Sequence, residues 1–457
     1  MKSQFPAEFI KRMNQLLPDE FDLFLNSLKK SKAPVSIRFN PFKRPSSIPD
    51  NTIPVPWCNH AYMLAQRPDF THDPFFHAGQ YYVQEASSMF VAEILKQFIP
   101  EDRSVLALDL CGAPGGKTTL LSTELPTNSL IISNEPVKNR ANILLENVLK
   151  WGLPNTIVSS NDPSRFEIYQ NRFDLVLVDA PCSGEGLFRK SPESIQEWSV
   201  NNVQLCSARQ KRILSSAAKV VKPNGILIYS TCTFSEEENE KNIAWLINEF
   251  GFVSLPIKLN SSWGITETFQ NNPKLYGYRF YPHKVIGEGF FVSCLQKQEQ
   301  GKAVKINTTA PPFIRTEKQL NPLLSNYLDN PEQFTFYTKN KKDNFAILKL
   351  HETNFIDFAS NLYIKSAGIP MGILKGKELV PHEGLALSIY LSKKLTAIVL
   401  SHSEALYYLK KQNFELKKSD ILGWTIAKYK DLSLGWLKIL PERFNNYFPV
   451  EWRIRKQ

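Results

Sequence analysis

Between Gln84 and about Lys297 the chain alternates short, continuous apolar runs with longer stretches of helical period. SVLALDL, SLIISNE, TIVSSND, FDLVLVDA and GILIYSTC are rich in Val, Leu and Ile and have the length of strands. Runs that are apolar at nearly every position suit strands buried on both faces of a parallel sheet. VQEASSMFVAEILKQF, KTTLLSTEL and VKNRANILLENVLKWG lie before and between them and predict helices. This order predicts an α/β, Rossmann-like doubly wound domain. EENEKNIAWLINEF predicts a further helix, opened by a capping box from Ser235 to Glu238, which sets Cys232 close to a helix N-terminus. RFYPHKVIGEGFFVSCLQK reads as a closing hairpin.

The flanks have different patterns. Residues 1–78 predict a small α+β region, with FIKRMNQLL and EFDLFLNSL as helices and VSIRFNPFK as a strand. The doubly wound domain takes 79–298, and the polar, proline-containing stretch 299–318 reads as a linker. A first C-terminal region covers 319–375. Residues 376–457, with short strands, glycines, tryptophans and basic residues, predict a small β-rich, barrel-like module.

Charge changes the picture at the C-terminal end. The chain carries a net charge of +11. Residues 301–457 hold 24 Lys and Arg against 14 Asp and Glu, whereas residues 1–300 hold 31 against 30. A basic tail third on a near-neutral body predicts a surface for a polyanion such as RNA; solvated lysines kept for solubility are the alternative. No run reaches the roughly 18 apolar residues of a membrane span, and no apolar signal core opens the chain. A cytoplasmic, monomeric protein is therefore expected. The six cysteines contain no C-x-x-C pair, which argues against a structural metal site or a disulfide framework.

The glycine-rich turn Cys111-Gly112-Ala113-Pro114-Gly115-Gly116-Lys117 follows the first strand. Three residues separate Gly112 from Gly116, one too few for a triphosphate-binding loop, and the dinucleotide fingerprint is also missing. Glu135 ends the second strand, where an acid can take both hydroxyls of a ribose. Asp162 ends the third, where it could meet an adenine amino group. Turn and acids together predict an adenosine cofactor without phosphates, which fits S-adenosylmethionine; each acid taken alone could equally be a helix cap.

Cys182 and Cys232 each follow a strand, in FDLVLVDAPCSGEG and GILIYSTCTFSEEE. A free cysteine is most often a small buried hydrophobe, and Cys58, Cys111, Cys206 and Cys294 read so. The strand-end positions of Cys182 and Cys232 point instead to chemistry, because ligands bind at the carboxyl ends of such strands. A thiolate adding to carbon 6 of cytosine makes carbon 5 nucleophilic enough to accept a methyl group. Asp179 is placed to support ring N3. Chemistry alone leaves open which thiol attacks.

DLCGAPGGKT, NEP, VDAPCSGEG and STCTFSEEEN, in this order, resemble the Nol/Nop/Sun family of RNA (cytosine-5) methyltransferases, with agreeing flanks in SIRFNPFK, YYVQEASSM and YRFYPHKVIGEGFF. The resemblance spans about residues 30–297, and the tail resembles the PUA-like module of ribosomal-RNA-modifying members. It implies S-adenosylmethionine held by Cys111 to Lys117, Glu135, Asp162 and Asp179, with Cys232 as nucleophile and Cys182 in product release. It implies 16S ribosomal RNA or the small ribosomal subunit as partner, without a metal. Gly112 departs from the family, which commonly has alanine there. The same chemistry on transfer RNA or DNA, or a non-catalytic RNA-binding factor, are the alternatives.

Overall fold

The computed structural model describes residues 5–456 except 31, 46, 47, 192, 299, 300, 303, 305–309, 377 and 417–420. Much of the expected linker therefore lies outside the described residues. The five predicted core strands are β1 (Leu106–Asp109), β2 (Leu130–Asn134), β3 (Thr156–Ser159), β4 (Phe173–Asp179) and β5 (Val221–Thr231). The hairpin supplies β6 (Lys274–Phe280) and β7 (Phe290–Lys297). Along the sheet the order is β6-β7-β5-β4-β1-β2-β3. β1 to β5 run parallel and β7 antiparallel. The order reverses between β1 and β4, which opens a crevice at their carboxyl ends.

Successive strand residues face opposite sides, so continuous apolar runs feed two cores at once. Leu108, Ile132, Val176, Val178 and Leu227 pack on one face with Ile213 and Leu214 of the helix Val200–Val220. Their neighbours Ala107, Ile131, Leu175, Leu177 and Ile226 pack on the other, with Ile94, Leu95, Leu120 and Leu121. This is why the pattern is apolar at every position.

A strand from the C-terminal third, β8 (Ile364–Ala367), joins the same sheet antiparallel to β3, with Ile364 opposite Ser159. Phe355 and Phe358, on the helix Glu352–Asn361, enter the core beside Tyr169 and Phe173. Full burial of one such side chain contributes about 1.5–3 kcal/mol. The first C-terminal region is thus welded to the central sheet, which its short, unpatterned strand did not foretell.

The N-terminal helices Ala7–Leu16 and Phe21–Lys30 precede a four-stranded antiparallel sheet, in which Val35–Phe39 is central. Buried Arg38 projects from it into the glycine turn. Its guanidinium donates to the Gly116 carbonyl at 3.1 Å and Thr119 Oγ1 at 2.7 Å, and lies over the Trp151 ring. The C-terminal module is a four-stranded sheet with the helix His402–Lys410 packed near it; its outer strand Ala397–Leu400 runs parallel to Gly423–Tyr429. Among the described residues no helix is long and apolar enough to cross a membrane.

One local expectation is overturned. The helix after Cys232 is Glu240–Phe250, and the Ser235–Glu238 capping box does not form. Glu238 turns inward instead, accepting from Ser183 N–H at 2.9 Å and from Gln210 Nε2 at 2.8 Å. Cys232 is therefore separated from the helix by an irregular turn and gains little from its dipole, which acts within the first turn.

Candidate active site

The β4–β5 register sets Asp179 opposite Ser230, so the loops that leave these strands start side by side. Their thiols meet, with Cys182 Sγ 2.9 Å from Cys232 Sγ. The backbone N–H of Cys232 also donates to Cys182 Sγ at 3.3 Å. Polar groups behind the thiols hold the two loops together. Ser183 Oγ lies 3.0 Å from Thr233 Oγ1 and donates to Glu238 Oε1 at 2.5 Å. Gln210 Nε2 donates to the Pro181 carbonyl at 3.0 Å.

The environments of the two sulfurs differ. The hydrogen bond to Cys232 and then burial raise the Cys182 thiol well above its ordinary range, with Cys232 and Glu238 adding negative potential. Cys182 therefore stays protonated at neutral pH and can donate its S–H to Cys232. Burial likewise pushes Cys58 up to about 12 and Cys206 up to about 11, and raises Cys111 and Cys294. These thiols are unreactive at neutral pH.

One cavity of about 670 Å³ gathers most of the predicted residues. Cys111, Ala113, Pro114, Lys117, Glu135, Asp179, Cys182 and Cys232 all line it. Lys117 Nζ lies 2.8 Å from Asp179 Oδ2, and Ser230 Oγ donates to Asp179 Oδ1 at 2.8 Å. Gly112, Gly115 and Gly116 stand behind the wall and let the turn pack. Gly115 has φ of +116°, a backbone conformation that favours glycine, and opens the helix Gly116–Glu124. Beneath the turn, buried Asp109 accepts from Thr118 Oγ1 at 2.6 Å, and burial pushes its carboxyl up to about 7.

Asp162 is not part of the cavity wall. Its Oδ1 caps the short turn Pro163–Ile168 through Ser164, and its Oδ2 pairs with Arg212 at 3.0 Å. Burial opposes ionisation there, but the Ser164 and Arg212 contacts outweigh it and hold the carboxyl below its usual range. The wall also includes residues that the sequence reasoning did not single out: Glu85, Arg140, Arg209, Glu288 and Phe290. Arg140 could have been suspected, because it lies in the first turn of the helix Lys138–Trp151, which begins three residues after Glu135. Glu85 and Glu288 could not, since they meet only through the fold: Glu85 Oε1 accepts the Glu288 N–H at 2.8 Å.

The site fits an adenosine cofactor. Its volume suits a small-molecule pocket. Glu135 is almost wholly buried; its Oε1 takes the Val137 N–H at 3.0 Å, while Oε2 faces Arg140 at a loose 3.4 Å. A carboxylate offers about four lone-pair sites, so acceptor capacity remains for ribose hydroxyls. Pro136, Val137, Pro163 and Ile213 supply apolar wall for a flat ring.

Sheet order, cavity and paired thiols define a Rossmann-fold methyltransferase, and comparisons with known proteins agree. The chain matches the description "16S rRNA methyltransferase RsmB/F" over residues 96–296. It matches the N-terminal domain of 16S rRNA methyltransferase RsmF over 5–86 and the methyltransferase RsmF PUA domain over 396–454. It is 29% identical over 416 residues to ribosomal RNA small subunit methyltransferase F of Shewanella woodyi, covering 87% of this chain and 84% of that one. The Vibrio cholerae protein of the same name is 30% identical over 333 residues, 67% of each chain. A solved methyltransferase homolog protein from Pyrococcus horikoshii shares 28% identity at a TM-score of 0.54, over 64% of this chain and 95% of that one. The chain belongs to the RsmB/F family of 16S rRNA methyltransferases. It is an S-adenosylmethionine-dependent rRNA cytosine-5 methyltransferase with a C-terminal PUA domain.

Proposed function

We propose that this chain methylates carbon 5 of an unpaired or flipped cytidine of 16S rRNA through a transient bond between Cys232 and carbon 6. The observation that carries the reading is the 2.9 Å contact between the Cys182 and Cys232 sulfurs inside the cavity that also holds Glu135 and Lys117. S-adenosylmethionine, when bound, supplies the methyl group that carbon 5 takes. The turn from Cys111 to Lys117 and the Glu135 carboxylate would hold it, with Glu135 toward the ribose. Asp162, beside the cavity-lining Pro163, fixes Arg212 and keeps an exposed carboxylate with acceptor capacity left for the adenine amino group.

The Cys232 thiolate donates its electron pair to carbon 6, and the ring electrons move toward carbon 5 and N3. Asp179 stands at the N3 edge, where its carboxylate accepts from the neighbouring 4-amino group and passes a solvent proton to N3 as attack makes that nitrogen basic. The Lys117 ammonium beside it balances the negative charge that attack pushes onto the ring. After methyl transfer a solvent water takes the carbon 5 proton, the freed electron pair re-forms the carbon 5–carbon 6 double bond, and the carbon 6–sulfur bond breaks with its pair returning to Cys232 as thiolate. Cys182 serves this elimination: its S–H is a donor next to the departing sulfur, which lowers the cost of its negative charge.

The target must leave its helix to enter, because carbon 6 is not accessible in a stacked pair. We place the reaction in the cytoplasm, with the enzyme as a monomer and the small ribosomal subunit or its RNA as partner. Labelled-methyl transfer to naked 16S rRNA, isolated small subunits and transfer RNA, assayed side by side, tests this. Label should enter 16S rRNA in one of the first two substrates. Exclusive labelling of transfer RNA would overturn the substrate assignment.

A further inference from the structure

Arg12 stands on the N-terminal helix Ala7–Leu16, 173 positions from its partner. Its Nη2 reaches Glu185 Oε1 at 2.5 Å. The same oxygen accepts Trp198 Nε1 at 2.7 Å, and Glu185 Oε2 accepts the backbone N–H of Phe234 at 3.1 Å. The Glu185 side chain has no solvent exposure. Glu185 follows Cys182 by three residues and Phe234 follows Cys232 by two, so one carboxylate spans both thiol loops. A second bond runs between the loops beside it, from Gly186 N–H to the Cys232 carbonyl at 2.9 Å.

Aromatic packing repeats the arrangement independently. Phe24, on the second N-terminal helix, packs edge-on against Phe234 with ring centroids 5.2 Å apart. Phe9, on the first, packs against Phe188 at 5.0 Å and Trp198 at 6.0 Å. The apolar faces of both helices are thus spent on the segments that carry Cys182 and Cys232, together with Tyr281.

We propose that Arg12 and Glu185 form a positioning pair through which docking of the N-terminal helices sets the loop that carries Cys232. This rests on Cys232 being the nucleophile. A carboxylate removed from water is tolerated only when its lone pairs are satisfied. Arg12 sets an opposite charge against the buried Glu185 side chain, and the Glu185 carboxyl oxygen so held is the acceptor for the Phe234 N–H. Without Arg12 that bond weakens and the Cys232 loop is freed to move. Small displacements of a reacting atom cost large factors in rate. The N-terminal region then acts on the chemical step as well as contributing surface.

The test uses the full chain in a Cys182→Ala background, where the bond to RNA is trapped, and follows the rate of adduct formation at saturating cofactor and 16S rRNA. Arg12→Met should slow that rate about 10- to 100-fold, leave the S-adenosylmethionine dissociation constant within about 2-fold, and be largely rescued by Arg12→Lys. The double variant Arg12→Met, Glu185→Met replaces the pair by apolar groups and guards against simple misfolding. A double variant that keeps the parent melting temperature yet still reacts slowly supports positioning. An unchanged adduct rate in folded Arg12→Met, or a fully active double variant, would reduce the pair to a structural staple and overturn the proposal. Absence of adduct even with Arg12 intact would instead remove the nucleophile assignment beneath it.

Discussion

The hydroxyl of Ser133 occupies the space that a side chain on Gly112 would need: a Cβ there would come within 2.1 Å of Ser133 Oγ and 3.1 Å of Thr118 Oγ1. The two hydroxyls also bond each other at 2.8 Å, beneath the cofactor turn. Glycine at position 112 is therefore matched to its neighbours. Gly112→Ala should destabilise the protein by about 1–3 kcal/mol, the usual cost of overpacking. Ser133→Ala in the same chain should restore most of the loss. Denaturant unfolding of the two single variants and the double variant checks this; additive effects would contradict it.

Glu135 should control cofactor affinity and little else. Glu135→Ala removes the acceptor assigned to the ribose and leaves Arg140 without its acid. Hydrogen bonds to charged groups are worth about 1.5–3 kcal/mol, so the dissociation constant for S-adenosylmethionine should rise roughly 10- to 150-fold. Affinity for 16S rRNA should stay within about 2-fold. Calorimetry for the cofactor and filter binding for the RNA measure the two separately.

Asp109 makes stability depend on pH. Its folded carboxyl is pushed up to about 7 by burial, against about 3.9 in an unfolded chain. Between these values the native state binds more protons than the unfolded one, so its contribution to stability falls as pH rises from about 4 to about 7. The slope is at most about 1.4 kcal/mol per pH unit. Asp109→Asn should flatten that segment of the stability curve, measured by urea unfolding from pH 4.5 to 8. Equal slopes in both proteins would contradict the assignment.

The basic tail third should contribute phosphate contacts. Lys430, Arg453 and Arg455 are exposed on the C-terminal module. Replacing all three with glutamine should reduce the slope of log affinity against log salt by about two, given roughly 0.7–0.9 per phosphate contact. Melting temperature should not change. Deleting residues 301–457 would not test the same point, because Phe355, Phe358 and β8 belong to the central core. An unchanged salt slope would leave these charges without a part in RNA binding.

Most of the catalytic domain was legible because parallel strands buried on both faces write themselves as unbroken Val, Leu and Ile runs. Cys182 and Cys232 were legible for a related reason: a chemistry-bearing residue just past such a run must stand at the crevice. What was hidden depends on long-range contacts. Ile364–Ala367 is four residues long, too short for a pattern to place it beside β3. Ser235 and Glu238 have the spacing of a helix cap, yet Glu238 is drawn away by Ser183 and Gln210, which no local rule anticipates. The contacts of Asp162 with Ser164 and with Arg212, fifty residues away, are likewise not written in its place after a strand. The link from Arg12 to Glu185 spans the domains and leaves no trace in spacing.

The central claim is that Cys232, and not Cys182, bonds to the pyrimidine. The most direct test incubates Cys182→Ala and Cys232→Ala variants with 16S rRNA and S-adenosylmethionine, then separates the products under denaturing conditions and maps any crosslinked peptide by mass spectrometry. Cys182→Ala should accumulate a protein–RNA adduct joined through Cys232, and Cys232→Ala should form none and transfer no methyl group. An adduct through Cys182 in the Cys232→Ala protein, or methylation that survives loss of Cys232, would contradict the account.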